Sequence, residues 1–185
     1  MARQAIWKSI ALTTDITVRQ LIAGYSELIQ RSMTHGSDAY LLTFMFKPLA
    51  GPLKAVMSQM NDEVQRVYST FVTRVERNPR SEAQKSSLPF LITAPDRPVF
   101  KKNKRNIVDL QINNGLHLHG ILCVPCNSRL KVDVATHFKA KQALYVKNRL
   151  LRIDIEAVYS AGVVDYAFKS LKNGNASLDD IQVYH

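Results

Sequence analysis

An amphipathic segment between positions 53 and 75 is the feature that most restricts how this 185-residue chain can fold. Its apolar residues recur every three or four positions, which predicts a helix of about six turns with one buried stripe. Asn78-Pro79 follows and predicts the end of the helix, because the residue before a proline disfavours helical backbone. The stripe consists of Leu53, Val56, Met57, Met60, Val64, Val67, Tyr68, Phe71 and Val75.

Strand-like segments lie on both sides of this helix. Residues 40–46 and 150–158 have the pattern of strands, and residues 181–184 favour a last edge strand. Residues 88–93 form a short apolar run that Pro95 and Pro98 are expected to interrupt. Residues 107–112 and 116–124 predict a hairpin, because Asn113-Asn114-Gly115 between them is a typical turn sequence.

Three further helices are predicted. The first starts at a capping-box pair, Thr17 and Gln20, and ends near His35-Gly36. The others cover residues 133–147 and 161–172, the latter stopped by Asn173-Gly174. The predicted fold class is therefore α+β, with a mainly antiparallel sheet of about five strands flanked by helices. We expect a helical extension at 1–36 and one domain at 37–185.

The charge balance favours a polyanionic partner. Twenty-five Lys and Arg against fifteen Asp and Glu give a net charge of +10, and basic side chains bind nucleic acid by releasing its counterions. A dense cluster is either a phosphate-contacting loop or a solvated turn; it consists of Lys101, Lys102, Lys104 and Arg105. No apolar run is long enough for a membrane span, and only two cysteines are present, so a cytoplasmic location without membrane contact is expected.

The tripeptide His117-Leu118-His119 lies within a predicted strand. Alternation along the strand places both imidazoles on one face, where they could bind one cation and leave positions open for water or substrate. The alternative is a pair of polar residues on a solvated sheet face. A zinc site shared with Cys123 and Cys126 is disfavoured, because Cys123 would lie about 13 Å along the strand from His119.

Tyr166 has a lysine three positions later, Lys169, on a predicted helix. This spacing places both side chains on one helical face. A nearby ammonium would offset the charge of a phenolate, which favours Tyr166 as a nucleophile. The alternative is an amphipathic residue with its ring in the core and its hydroxyl at the surface.

The order of these features resembles the HUH endonuclease superfamily, which includes rolling-circle replication initiators and related transposases. An apolar strand ends in Thr43-Phe44-Met45-Phe46, a strand carrying His-Leu-His-Gly follows, and then a helix with the single-tyrosine Tyr-x-x-Lys motif. The resemblance extends from about Tyr40 to Lys172 and implies a Rep-like domain with an RRM-like core.

The resemblance implies metal-dependent nicking and joining of single-stranded or hairpin origin DNA of a plasmid, phage or mobile element. His117 and His119 would bind Mg²⁺ or Mn²⁺, Tyr166 would form a 5′-phosphotyrosine, and Lys169 would assist it. Asp109 is the expected third ligand, with Gln111 as the alternative, and a host helicase would supply unwinding. Two other functions remain open: a non-catalytic nucleic-acid-binding protein of the same fold, and a zinc-dependent structural protein using Cys123 and Cys126.

Overall fold

The computed structural model describes residues 2–81, 88–97 and 111–185, with side chains from Ile16 onward. Its strands are β1 (Asp38–Phe46), β2 (Phe90–Asp96), β3 (His117–Val124), β4 (Leu150–Val158) and β5 (Gln182–Tyr184). Its helices are α1 (Ala2–Thr34), α2 (Leu53–Val75), α3 (Val134–Ala140), α4 (Gln142–Tyr145), α5 (Val163–Ala167) and α6 (Lys169–Lys172).

The five strands form one sheet in the order β4-β1-β3-β2-β5, and every neighbouring pair is antiparallel. This arrangement confirms the predicted α+β fold with an antiparallel sheet flanked by helices. The strand β3 is central and entirely buried. A residue on β3 is therefore held by hydrogen-bonded neighbours on both sides and has little freedom to move.

Each face of the sheet supports its own hydrophobic core. On the first face, α2 and α3 pack against alternate strand residues such as Leu42, Phe44 and Leu118. On the second face, α1, α5 and α6 pack against residues such as Ile92 and Ile121. The predicted stripe of α2 is buried from Met57 onward, whereas Leu53 at its start is exposed. Because His117 and His119 alternate with Leu118, they lie on the second face.

The described end of the predicted first hairpin strand, Gln111 and Ile112, does not form a strand. Gln111 is helical and residues Ile112–Gly115 form a short 3-10 turn. Both edges of β3 are occupied, one by β1 and the other by β2, and residues 107–110 of the predicted first strand lie outside the described residues. The turn itself was predicted correctly, because Asn113, Asn114 and Gly115 all have positive φ angles.

Other boundaries also differ from those predicted. The first helix begins at Ala2, so Thr17 lies inside it rather than at its start. The strand β2 continues through Pro95 to Asp96, beyond the expected interruption. The predicted 161–172 helix is divided at Phe168, which is buried between α5 and α6. No helix in the described part of the chain combines the length and apolar character needed to cross a membrane.

Candidate metal centre and nucleophile

Strand register brings a carboxylate to the two predicted histidine ligands. Asp96, the last residue of β2, lies directly opposite His117 on β3, and Ala94 lies opposite His119. Positions 94 and 96 alternate with Pro95, so the carboxylate faces the same side of the sheet as the imidazoles. All three side chains are buried or nearly so. Among the described residues, they are the one group with the composition and spacing of a metal site.

The three donor atoms form a nearly equilateral triangle. His117 Nε2 lies 3.3 Å from His119 Nε2, and Asp96 Oδ2 lies 3.4 Å from the first nitrogen and 3.3 Å from the second. Such distances separate neighbouring ligands of one ion whose bonds are about 2.0–2.2 Å long. Asp96 Oδ2 is buried and accepts no well-aligned hydrogen bond from the described residues, although Lys169 Nζ lies 2.7 Å from it as an ion-pair partner. A cation bound by the three atoms would satisfy it, so the residues fit a metal ion.

Hydrogen bonds on the far side of each imidazole set its orientation. His117 Nδ1 lies 2.9 Å from the carbonyl oxygen of Gly115. Because a carbonyl can only accept, Nδ1 carries a proton, and Nε2 is the nitrogen that faces His119 and Asp96. His119 Nδ1 lies 3.1 Å from Thr43 Oγ1 on β1. Partners of this kind commonly orient metal-binding histidines and fix their tautomer.

The turn before β3 positions the Gly115 carbonyl. Asn113, Asn114 and Gly115 have φ angles of 53°, 52° and 73°, a run of left-handed backbone that asparagine and glycine tolerate best. The Asn113 side chain fixes the turn to the segment after β1. It donates from Nδ2 to the carbonyl of Lys47 and accepts from the backbone N–H of Leu49.

The Asp96 carboxylate also contacts the helix α6. Ser170 Oγ donates to Asp96 Oδ1 at 2.5 Å, and Lys169 Nζ lies 2.7 Å from Asp96 Oδ2. Burial alone would raise the pKa of Asp96, but polar contacts with His117, His119, Lys169 and Ser170 lower it well below its ordinary range. Burial lowers the pKa of His119, and the remaining effects include repulsion by His117 and Lys169 and attraction to Asp96. Asp96 is therefore ionised and His119 favours its neutral form, the states in which both bind metal.

Tyr166 lies beside this group on α5. Its ring centroid is 5.1 Å from that of His119, and Lys169 Nζ is 4.4 Å from the centre of the tyrosine ring. Tyr166 is 50% exposed, so a ligand can reach it from solvent. The ring is not part of the core, which contradicts the interpretation of Tyr166 as a core-packed amphipathic residue.

Four of the predicted site residues therefore lie together. The sequence did not predict two further residues of the same group, Asp96 and Ser170. His117, His119, Tyr166 and Lys169 meet on the second face of the sheet. The carboxylate beside the histidines is Asp96, and Ser170 holds it. Asp109, the expected third ligand, lies outside the described residues, as does the basic cluster Lys101, Lys102, Lys104 and Arg105. Their roles stay predictions. Gln111 lies before the 3-10 turn rather than on a strand beside the histidines.

The remaining candidate residues lie apart from this group. Tyr159 follows β4 at the opposite end of the sheet, where Val158 pairs with Ala39, and is 90% exposed. Cys123 is buried in the second core, and burial raises the pKa of its thiol to about 12. Cys126 is exposed. Neither cysteine belongs to the metal-binding group that the described residues form, which removes the basis for a shared zinc site.

Comparisons with known protein families, with curated proteins and with solved structures found no match for this chain.

Proposed function

We propose that this chain is a metal-dependent enzyme that nicks and joins single-stranded DNA, with Tyr166 as its nucleophile and Asp96, His117 and His119 as its metal ligands. It would act at a replication or transfer origin of a plasmid, phage or mobile element. The observation that carries the proposal is the position of the Tyr166 ring, 5.1 Å from the ring of His119. A solvent-accessible phenol beside a buried Asp-His-His group is an arrangement suited to phosphoryl transfer.

Electrostatics in the site support attack by a phenolate. A phenol is a weak nucleophile at its ordinary pKa. Lys169 Nζ, 4.4 Å from the ring centre, offsets the negative charge that develops as the phenol loses its proton. A bound Mg²⁺ or Mn²⁺ would polarise the scissile phosphate and neutralise part of its charge.

The reaction can be written with the chain's own groups. Tyr166 Oη loses its proton to water and forms a bond to the scissile phosphorus, and the bond from phosphorus to the 3′ oxygen breaks. That oxygen takes a proton from water and becomes a free 3′-hydroxyl. The 5′ phosphate stays on Tyr166 as a phosphodiester, which preserves the energy of the broken bond. Attack by a 3′-hydroxyl on the phosphotyrosine reverses the step and joins two strands.

The direction of the covalent bond gives a specific test. A library of hairpin oligonucleotides with randomised single-stranded loops is incubated with the protein and Mn²⁺, with label at either the 3′ or the 5′ end. We expect 3′-label to migrate with the protein in denaturing gels and 5′-label to be released on a shorter fragment. Tyr166→Phe should form no adduct. Tyr159→Phe is the matched control, because this exposed tyrosine is remote from the histidines, and it should react like wild type.

Two results would refute the proposal. One is the absence of any adduct across the library with both Mn²⁺ and Mg²⁺. The other is an adduct that Tyr166→Phe forms as readily as the wild type. A protein that only binds nucleic acid would instead show salt-sensitive binding that chelator and His117→Ala leave unchanged.

A further inference from the structure

The two oxygens of Asp96 have different partners, although the residue is only 1% exposed. Oδ1 accepts a hydrogen bond from Ser170. Oδ2 faces both imidazole Nε2 atoms and also lies 2.7 Å from Lys169 Nζ. The ammonium group of Lys169 therefore contacts the same oxygen that would bind a metal ion.

One buried oxygen accommodates these two cations poorly at the same time. A metal ion bound to Oδ2 would lie about 2.0–2.2 Å from it, and Lys169 Nζ lies 2.7 Å from the same atom. The two positive charges would be a few ångströms apart beside a carboxylate that is only 1% exposed, where charges repel more strongly than in bulk solvent. Metal binding at Asp96 consequently opposes the contact between Asp96 and Lys169.

Lys169 has a second position available beside Tyr166. Its side chain is 31% exposed, far more than that of Asp96, so it can move without unpacking the core. Its Nζ already lies 4.4 Å from the Tyr166 ring centre. A lysine that leaves Asp96 can therefore remain next to the tyrosine, where its charge would favour the phenolate.

We propose that Lys169 and the divalent cation compete for Oδ2 of Asp96, and that metal binding displaces the ammonium group from Asp96 toward Tyr166. This inference rests on the proposed function, since it assumes that Asp96, His117 and His119 hold the cation. It assigns Lys169 two alternating partners and couples metal occupancy to the position of the charge beside the nucleophile. Without metal, the lysine neutralises a carboxylate that would otherwise be buried unpaired.

The test is the affinity for Mn²⁺, measured without DNA by the loss of the free-ion electron paramagnetic resonance signal. Lys169→Met removes the charge and roughly keeps the length of the side chain. It should bind Mn²⁺ about 5- to 150-fold more tightly than wild type, the usual range for two coupled binding events. Lys172→Met is the matched control. It lies on the same helix but pairs with Asp165, so its affinity should equal that of wild type.

Further variants separate failure of this inference from failure of the proposed function. If Asp96 is a metal ligand, Asp96→Asn should weaken Mn²⁺ binding whether or not Lys169 competes with the metal. If Asp96→Asn loses the metal while Lys169→Met binds it no more tightly than wild type, the competition is refuted and the metal site stands. If Asp96→Asn and His117→Ala both bind Mn²⁺ like wild type, the site is wrong and both proposals fail. Lys169→Gln repeats the measurement with a polar neutral residue, and circular dichroism verifies that each variant is folded.

Discussion

Replacing Gly120 with alanine should destabilise the protein, although alanine is ordinarily the better residue for a folded chain. Gly120 follows His119 on β3, and its side facing the first core has no free space. An added Cβ would lie 2.9 Å from Leu91 Cδ1, 3.1 Å from Phe44 Cε2 and 3.2 Å from Thr93 Cγ2. All three neighbours are at most 1% exposed, so none can move aside into solvent.

The expected magnitude follows from the packing. Inserting a methyl group into a tightly packed core costs about 1–3 kcal/mol of unfolding free energy. For a domain of this size, each kcal/mol shifts the melting temperature by about 2–4 °C, so Gly120→Ala should melt roughly 2–12 °C below wild type. The backbone at Gly120 is not in the left-handed region, so the loss would come from packing alone.

Gly24→Ala provides the matched control, because it makes the same chemical change in a helix. Gly24 lies within α1, and an added Cβ there would meet nothing within 4 Å. This variant should gain about 0.5–1 kcal/mol, since glycine loses more conformational entropy than alanine in a helix. Both are measured by thermal and urea unfolding. A Gly120→Ala protein as stable as wild type, or a shift of both variants in one direction, would refute the reasoning.

Three further predictions concern other parts of the molecule. Ser170→Ala should weaken Mn²⁺ binding about 10- to 100-fold, the usual effect of removing a partner of a ligand, while Ser170→Thr retains the hydroxyl and most of the affinity; equal loss in both variants would contradict this. Burial, with Arg74 and Lys141 nearby, lowers the pKa of His137 in the folded protein. As pH falls, His137 therefore becomes protonated in the unfolded chain at a higher pH than in the folded one, and the protein loses stability below about pH 6.5. His137→Gln should lose less stability than wild type between pH 7 and pH 5 in urea unfolding, and parallel losses would contradict the assignment. The basic cluster consists of Lys101, Lys102, Lys104 and Arg105. Alanine at all four positions should reduce the slope of log affinity against log salt by about 3, since each phosphate contact on a single strand contributes about 0.7. An unchanged slope would show that the cluster does not contact DNA.

Local patterns predicted most elements because each depends on neighbouring residues. The stripe of α2, the apolar run of β1, the alternation in β4 and the Tyr166–Lys169 spacing need no knowledge of the rest of the chain. The face shared by His117 and His119 follows from strand geometry alone. These features account for four of the residues at the site.

Asp96 was missed because its role depends on strand register, which one sequence does not encode locally. Pro95 suggested that the strand ends before Asp96. In the structure β5 pairs with β2 only at residues 91–93, so Pro95 lies beyond the end of its neighbour, at an edge position where proline is tolerated. Only the pairing of β2 with β3 shows that Asp96 lies opposite His117.

Shortening the chain to residues 37–185 would remove α1, which packs against the two helices that carry Tyr166 and Lys169. The Tyr25 ring of α1 lies 5.5 Å from that of Phe168, the buried residue between the helix with Tyr166 and the helix with Lys169. Val18, Ile22 and Ile29 complete the same core. An N-terminal deletion would expose this apolar surface to water and weaken the packing of α5 and α6 against the sheet, while the histidines would remain held in β3. Loss of activity in such a truncated protein would be evidence about packing, not about chemistry.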